Sequence, residues 1–222
     1  MSFPPNPPAA DAGRQPMFNL PPLVAALIGV CAAIYVVMLL VPVKTEAWIL
    51  IHLGFSPAYY RSEWFGWESF VGPFSHQFLH GGVFHLIINV VMLAAFGAGA
   101  ERALGARRTL GLFLVCGVVG AFTHLAIYPS LSAQVVGASG AISGLFGAVL
   151  RLMASRPLSK GGVRLLPVAL IWIGFAVLVG FAGAPGTEGV QIAWAAHVGG
   201  FVAGLALLPL FMARQSGPRV RP

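Results

Sequence analysis

The chain has 222 residues, of which 58% are hydrophobic and 9% charged, with a mean hydropathy of +0.85. A water-soluble domain of this size carries about a quarter charged residues, so the composition excludes one and predicts an all-α polytopic membrane protein. The net charge of +7 does not point to nucleic acid, because the basic residues fall between apolar segments rather than on one solvated face or run.

Residues 1–19, with Pro4, Pro5, Pro7, Pro8 and Pro16, read as a disordered cytoplasmic tail. From 20 to 213 the chain reads as one membrane domain. Apolar windows of about 20 residues predict six spans, near Leu20–Val43, His80–Ala100, Thr109–Ile127, Val135–Met153, Leu165–Ala182 and Gln191–Met212. The first is too long for a signal-peptide core and is expected to remain as a helix. The segment between the first two spans carries Trp48, Tyr59, Tyr60, Trp64, Phe65 and Trp67, an aromatic set suited to the membrane interface. Residues 214–222 read as a basic cytoplasmic tail.

Basic residues set the orientation. With the N-terminus in the cytoplasm, Arg102, Arg107, Arg108, Arg151, Arg156, Lys160 and Arg164, and both tails, lie inside, whereas Lys44 and Arg61 lie outside. Both termini are therefore expected in the cytoplasm, in a cell inner membrane. The two cysteines, Cys31 and Cys116, fall in apolar runs and read as inert packing residues.

Depth concentrates the polar residues. At about 1.5 Å rise per residue, Ser139 is expected roughly one turn inside the fourth span and His197 roughly two turns inside the sixth. His85 and Asn89 sit at similar depth in the second. Burying such groups separately in lipid is costly, so they are expected to meet one another or a wet cavity. Each residue alone has a bland reading as a packing or hydrogen-bonding group. Together they make what acyl transfer needs: a hydroxyl in Ser139, a base in His197, and donors for an oxyanion in His85, Asn89 and the Ser139 amide. No Asp or Glu falls in a span near His197, which favours a Ser–His dyad over a triad.

Small residues favour close helix approach around both groups. Gly137, Gly140 and Gly144 flank Ser139, and Ala196, Gly200 and Gly204 recur every four residues around His197. Contact between those two stripes is what would bring Ser139 to His197. His76 and His80 share one helical face and read as structural, and His52 and His124 as incidental. A metal protease is disfavoured because Gln77 stands where the His-Glu-x-x-His pattern needs Glu. A transporter is disfavoured by the lack of paired broken helices and of charges in the spans.

Gly137-Ala138-Ser139-Gly140, Ala196-His197 followed by Gly200 and Gly204, and His76-Gln77-Phe78-Leu79-His80 followed by His85 and Asn89 together resemble the rhomboid family of intramembrane serine proteases in its basic six-helix bacterial form. The run Gly97-Ala98-Gly99-Ala100-Glu101-Arg102 is also similar to that family's connection after its second helix. The resemblance covers about residues 70–210. It implies Ser139 as nucleophile, His197 as general base, and His85, Asn89 and the Ser139 amide as the oxyanion site. It implies single-span membrane proteins as substrates, cut near the outer end of their helix, and no metal or nucleotide cofactor; the oligomeric state is left open. A non-catalytic rhomboid-like protein that binds membrane clients is the alternative. Two departures stand out: Ser143 replaces an aromatic expected to stack on the catalytic His, and Phe70-Val71-Gly72-Pro73 replaces a Trp-Arg pair in the outer loop. The connection Gly183–Gly189 is expected to cap the cavity, and the fifth span to move sideways to admit substrate.

Overall fold

The computed structural model describes residues 20–61, 63, 65–182 and 193–212. Both predicted tails, Trp64 and the connection Gly183–Gly189 lie outside them. Among the described residues eight helices follow in chain order: α1 Pro22–Leu40, α2 Val43–Leu53, α3 Glu68–Ser75, α4 Val83–Leu104, α5 Ala106–Ile127, α6 Ser139–Ala154, α7 Leu165–Ala182 and α8 Trp194–Phe211. No strand forms among the described residues beyond one isolated antiparallel bridge, Phe55 with Val135.

Four helices, α1, α4, α5 and α8, are long and apolar enough to cross a membrane; α6 and α7 are apolar but shorter. The protein is thus a multi-pass helical membrane bundle. The predicted fourth span differs most. It begins at Ser139 rather than Val135, because Val135 pairs with Phe55 and Gly137 turns at φ +116° before the helix can start. α4 changes pitch through a π-helical segment at Leu93–Gly97, where Gly97 lies close against Val24 of α1.

At the centre stand α5, α6 and α8, the most extensively packed trio in the bundle. Leu112, Phe113, Ala141, Leu145, Ala148 and Leu208 are buried among them. Large side chains elsewhere point outward, including Val36, Leu40, Leu170, Ile171, Leu178, Phe181 and Leu210, as an apolar bundle in lipid requires. α7 is held mainly by Trp172, whose ring lies 4.9 Å from Phe146, itself 5.5 Å from Phe201 of α8. Two ties close the end of the bundle away from Ser139. Arg151 donates to the Leu205 carbonyl, and the Glu101 carboxylate accepts from the Leu23 and Val24 amides at 3.1 and 2.9 Å. Glu101 so caps α1, whose first amides have no partner within the helix.

The segment read as an interfacial loop is a helical hairpin, α2 and α3, joined by a 3-10 turn at Pro57–Tyr60. Tyr60 Oη donates to the Ser69 carbonyl at 2.6 Å, Ser69 Oγ to the Tyr59 carbonyl at 2.9 Å and Ser75 Oγ to the Leu53 carbonyl at 2.6 Å. His52, expected to be incidental, joins the two helices. Its ring lies between Trp48 and Trp67, at 4.5 and 5.9 Å, with Nε2 3.8 Å from Glu68.

Candidate active site

Ser139 is the first residue of α6, and His197 is the fourth residue of α8. Both stand nearer their helix starts than the span boundaries predicted, Ser139 because the bridge and turn shorten α6. Ser139 Oγ and His197 Nε2 are 2.7 Å apart, a hydrogen bond across two helices that are far apart in sequence. The amides of Ser139 and the next residues, being the first turn of a helix, have no intrahelical acceptor and carry the positive end of its dipole.

The small-residue stripes explain how the two side chains reach each other. A methyl on Gly200 would collide with the Gly140 carbonyl, one on Gly204 with the Gly144 carbonyl, and one on Gly144 with Cys116 of α5. Backbones of α6 and α8 therefore touch directly, at the residue next to Ser139 on α6 and about one turn beyond His197 on α8. Ala196 serves the other side: its carbonyl faces Gly120 of α5, where a methyl would stand 2.6 Å away, and Gly140 of α6, at 3.4 Å.

His85 and Asn89 are brought to the same end of the bundle. The His85 ring rests on Gly137, two residues before Ser139, where a methyl would come within 2.6 Å of Cε1. Only glycine suits that position, since φ is +116° and the space is filled by the imidazole. His80 packs edge-on against His85 with ring centres 5.3 Å apart. Asn89 lies one turn along α4, but its Nδ2 donates to the His85 carbonyl at 2.8 Å, so one amide hydrogen that the sequence reading assigned to an oxyanion is committed to its own helix. Its buried Oδ1 has no partner among the described residues.

The sequence reading missed the brace that holds the segment leading into Ser139. Phe55 and Val135 exchange two backbone bonds, at 3.0 and 2.7 Å, Ala58 N–H donates to the Leu131 carbonyl at 3.2 Å, and Ser56 Oγ donates to the Ser132 carbonyl at 3.2 Å. Gly137 N–H donates to the His76 carbonyl at 2.8 Å. The His76 ring is anchored in turn, with Nδ1 donating to the Gly72 carbonyl at 2.8 Å. His76 lies outside the spans, and burial pushes its imidazole down to about 4, only partly opposed by that bond. Gln77, flagged as the Glu replacement, fills a notch at Gly117 and donates to the Pro73 carbonyl at 3.0 Å. No single residue signals this brace in the sequence.

Two apolar grooves of about 380 and 360 Å³ open on the flanks of the bundle. One lies between α1 and the α2–α3 hairpin, the other between α5 and α8, lined by Val119, Thr123, Val198 and Val202 among others.

A family profile described as "Rhomboid domain" matches residues 67–214. Among curated proteins, the chain is 33% identical over 129 residues to Rhomboid protease GluP of Bacillus subtilis, covering 57% of this chain and 23% of that protein. It is 32% identical over 157 residues to RHOMBOID-like protein 4 of Arabidopsis thaliana, covering 67% of this chain and 38% of that protein. Rhomboid protease GlpG of Yersinia pestis is 29% identical over 187 residues, covering 84% of this chain and 61% of the relative. The chain thus spans well under two thirds of the length of the first two relatives.

Proposed function

The chain belongs to the rhomboid family, and from that membership we propose that it is an intramembrane serine endopeptidase working through a Ser139–His197 dyad. The observation that carries the proposal is the 2.7 Å bond between Ser139 Oγ and His197 Nε2. His197 Nε2 takes the hydroxyl proton as Oγ attacks the scissile carbonyl, giving a tetrahedral oxyanion. The Ser139 amide at the helix start, His85 and the second amide hydrogen of Asn89 stabilise that charge. Collapse of the intermediate breaks the C–N bond, and His197 gives its proton to the departing amine, leaving Ser139 acylated. Water then attacks the ester with His197 again as base, which releases the acid and restores the hydroxyl.

In this reading α6 and α7 count as spans, so six helices cross the inner membrane with both termini in the cytoplasm. The site opens outward. The substrates are single-span membrane proteins unwound near the outer end of their helix, because a helix hides its carbonyls in its own hydrogen bonds. α7, which packs on the bundle through Ala169, Trp172, Ala176 and Gly180 and turns most of its other side chains to lipid, is the element that gives way to admit them. A non-catalytic client-binding role is less favoured, since it has no use for a serine and an imidazole held in hydrogen-bond contact. Reconstitution with a panel of single-span membrane proteins tests the proposal. New termini should appear at or near an outer helix end with the wild type and vanish with Ser139→Ala; products that persist in the variant reject it.

A further inference from the structure

On the face of α5 that packs against α8 stands a third imidazole that the chemistry above leaves unused. His124 of α5 is 4% exposed, and among the described residues neither Nδ1 nor Nε2 has a hydrogen-bond partner. A neutral imidazole carries one donor and one acceptor, and buried groups of that kind take ordered water when protein offers nothing. The ring is held in place. Tyr128 lies 5.0 Å away across it, and Tyr128 Oη accepts from Nε1 of Trp194, the first residue of α8, at 2.9 Å.

The packing of α5 on α8 places His124 on the face of α5 that meets the first turns of α8. Gly120, one turn earlier on the same face, lies against the Ala196 carbonyl, and Gly199 packs on Thr123. His124 is within Coulombic reach of the His197 ring, as is His85. His197 has a matching need. For Nε2 to accept the Ser139 proton, Nδ1 must carry the ring hydrogen, and among the described residues no protein group accepts it. Ser143, where a stacking aromatic was expected, is a small buried residue and cannot hold the ring by its face.

We propose that His124 is a positioning residue: it holds one water between its ring and His197 Nδ1, which fixes His197 in the Nδ1–H tautomer with Nε2 turned to Ser139. Tyr128 and Trp194 set the angle of the His124 ring, so the start of α8 positions its own histidine through α5. The proposal rests on the dyad reading of Ser139 and His197.

The test compares His124→Phe, which keeps ring volume but removes both nitrogens, with His124→Gln, which restores a donor and an acceptor. With a transmembrane substrate, His124→Phe should lower kcat about 10- to 100-fold with KM within about twofold, and His124→Gln should recover most of it. Imidazole nitrogen NMR on the uncleaving apo protein should find His197 as a single Nδ1–H tautomer in the wild type and a mixture in His124→Phe. The NMR arm is independent of turnover, so a wild type that cuts nothing defeats the protease proposal alone. Wild-type kcat in His124→Phe, an unchanged His197 tautomer, or equal losses in both variants tracking a lowered Tm would each overturn the positioning role.

Discussion

Adding one methyl at Gly200 is the sharpest test of how the helices set the dyad. The new Cβ would stand 2.8 Å from the Gly140 carbonyl carbon and closer still to its oxygen, against an ordinary contact of 3.4 Å. Neither atom belongs to a flexible side chain, so α6 and α8 must part by at least about 0.6 Å. Ser139 is bonded to Gly140 and His197 is three residues from Gly200, so a like separation stretches the 2.7 Å bond to about 3.3 Å, past the usual range. Misplacement of that order costs up to about 100-fold in rate, and the overpacking about 1–3 kcal/mol in stability. Steady-state cleavage in detergent, with thermal unfolding alongside, reads both. The expected pattern is a folded variant with a lowered Tm and kcat down 10-fold or more with KM little changed. Wild-type kcat in folded Gly200→Ala would refute the claim that backbone contact here sets the catalytic distance.

Three other outcomes follow from the geometry. Glu101→Ala leaves the buried Val24 amide and the partly buried Leu23 amide without an acceptor and should cost on the order of 3 kcal/mol in denaturant unfolding, with Glu101→Gln costing less. His76 is neutral in the folded protein, held near 4 against an ordinary 6.5, so the unfolded chain binds more protons between those values. Its contribution is therefore complete above about pH 6.5 and falls away toward pH 4, by about 3 kcal/mol in all, and His76→Gln should flatten that part of the curve of Tm against pH. Gly137→Ala should lower both Tm and cleavage through its φ of +116° and its collision with His85; the Gly137→Ala, His85→Ala pair should lose less Tm than the single effects added together, because the collision is gone.

The sequence made the meeting of Ser139 and His197 at the candidate site legible because its signals are local and stand on strong helices. Ser139 and His197 lie in long apolar runs, and the spacing of Ala196, Gly200 and Gly204 marks a face on which a backbone lies, as Gly140 and Gly144 do. The hairpin of α2 and α3 was not legible: its aromatic and polar residues show no clean helical period, and its closure depends on side chain to carbonyl bonds such as Ser75 to Leu53. The start of α6 was misread for a related reason. Val135 and Val136 extend an apolar run that hydropathy joins to the helix, whereas a tertiary pairing with Phe55 makes that stretch extended. His124 reads as an ordinary histidine in an apolar helix, and only its unpartnered nitrogens beside α8 distinguish it. Asn89 shows the limit of helical spacing, which puts it on the face of His85 without revealing that its amide bonds back to α4.

The central claim is that the Ser139 hydroxyl is made nucleophilic by His197. Labelling the detergent-solubilised protein with a fluorophosphonate and mapping the adduct by peptide mass spectrometry tests it without any knowledge of the substrate. A single adduct on Ser139 is expected, absent in Ser139→Ala and strongly slowed in His197→Ala. An adduct on another residue, or labelling at the wild-type rate in either variant, contradicts the account.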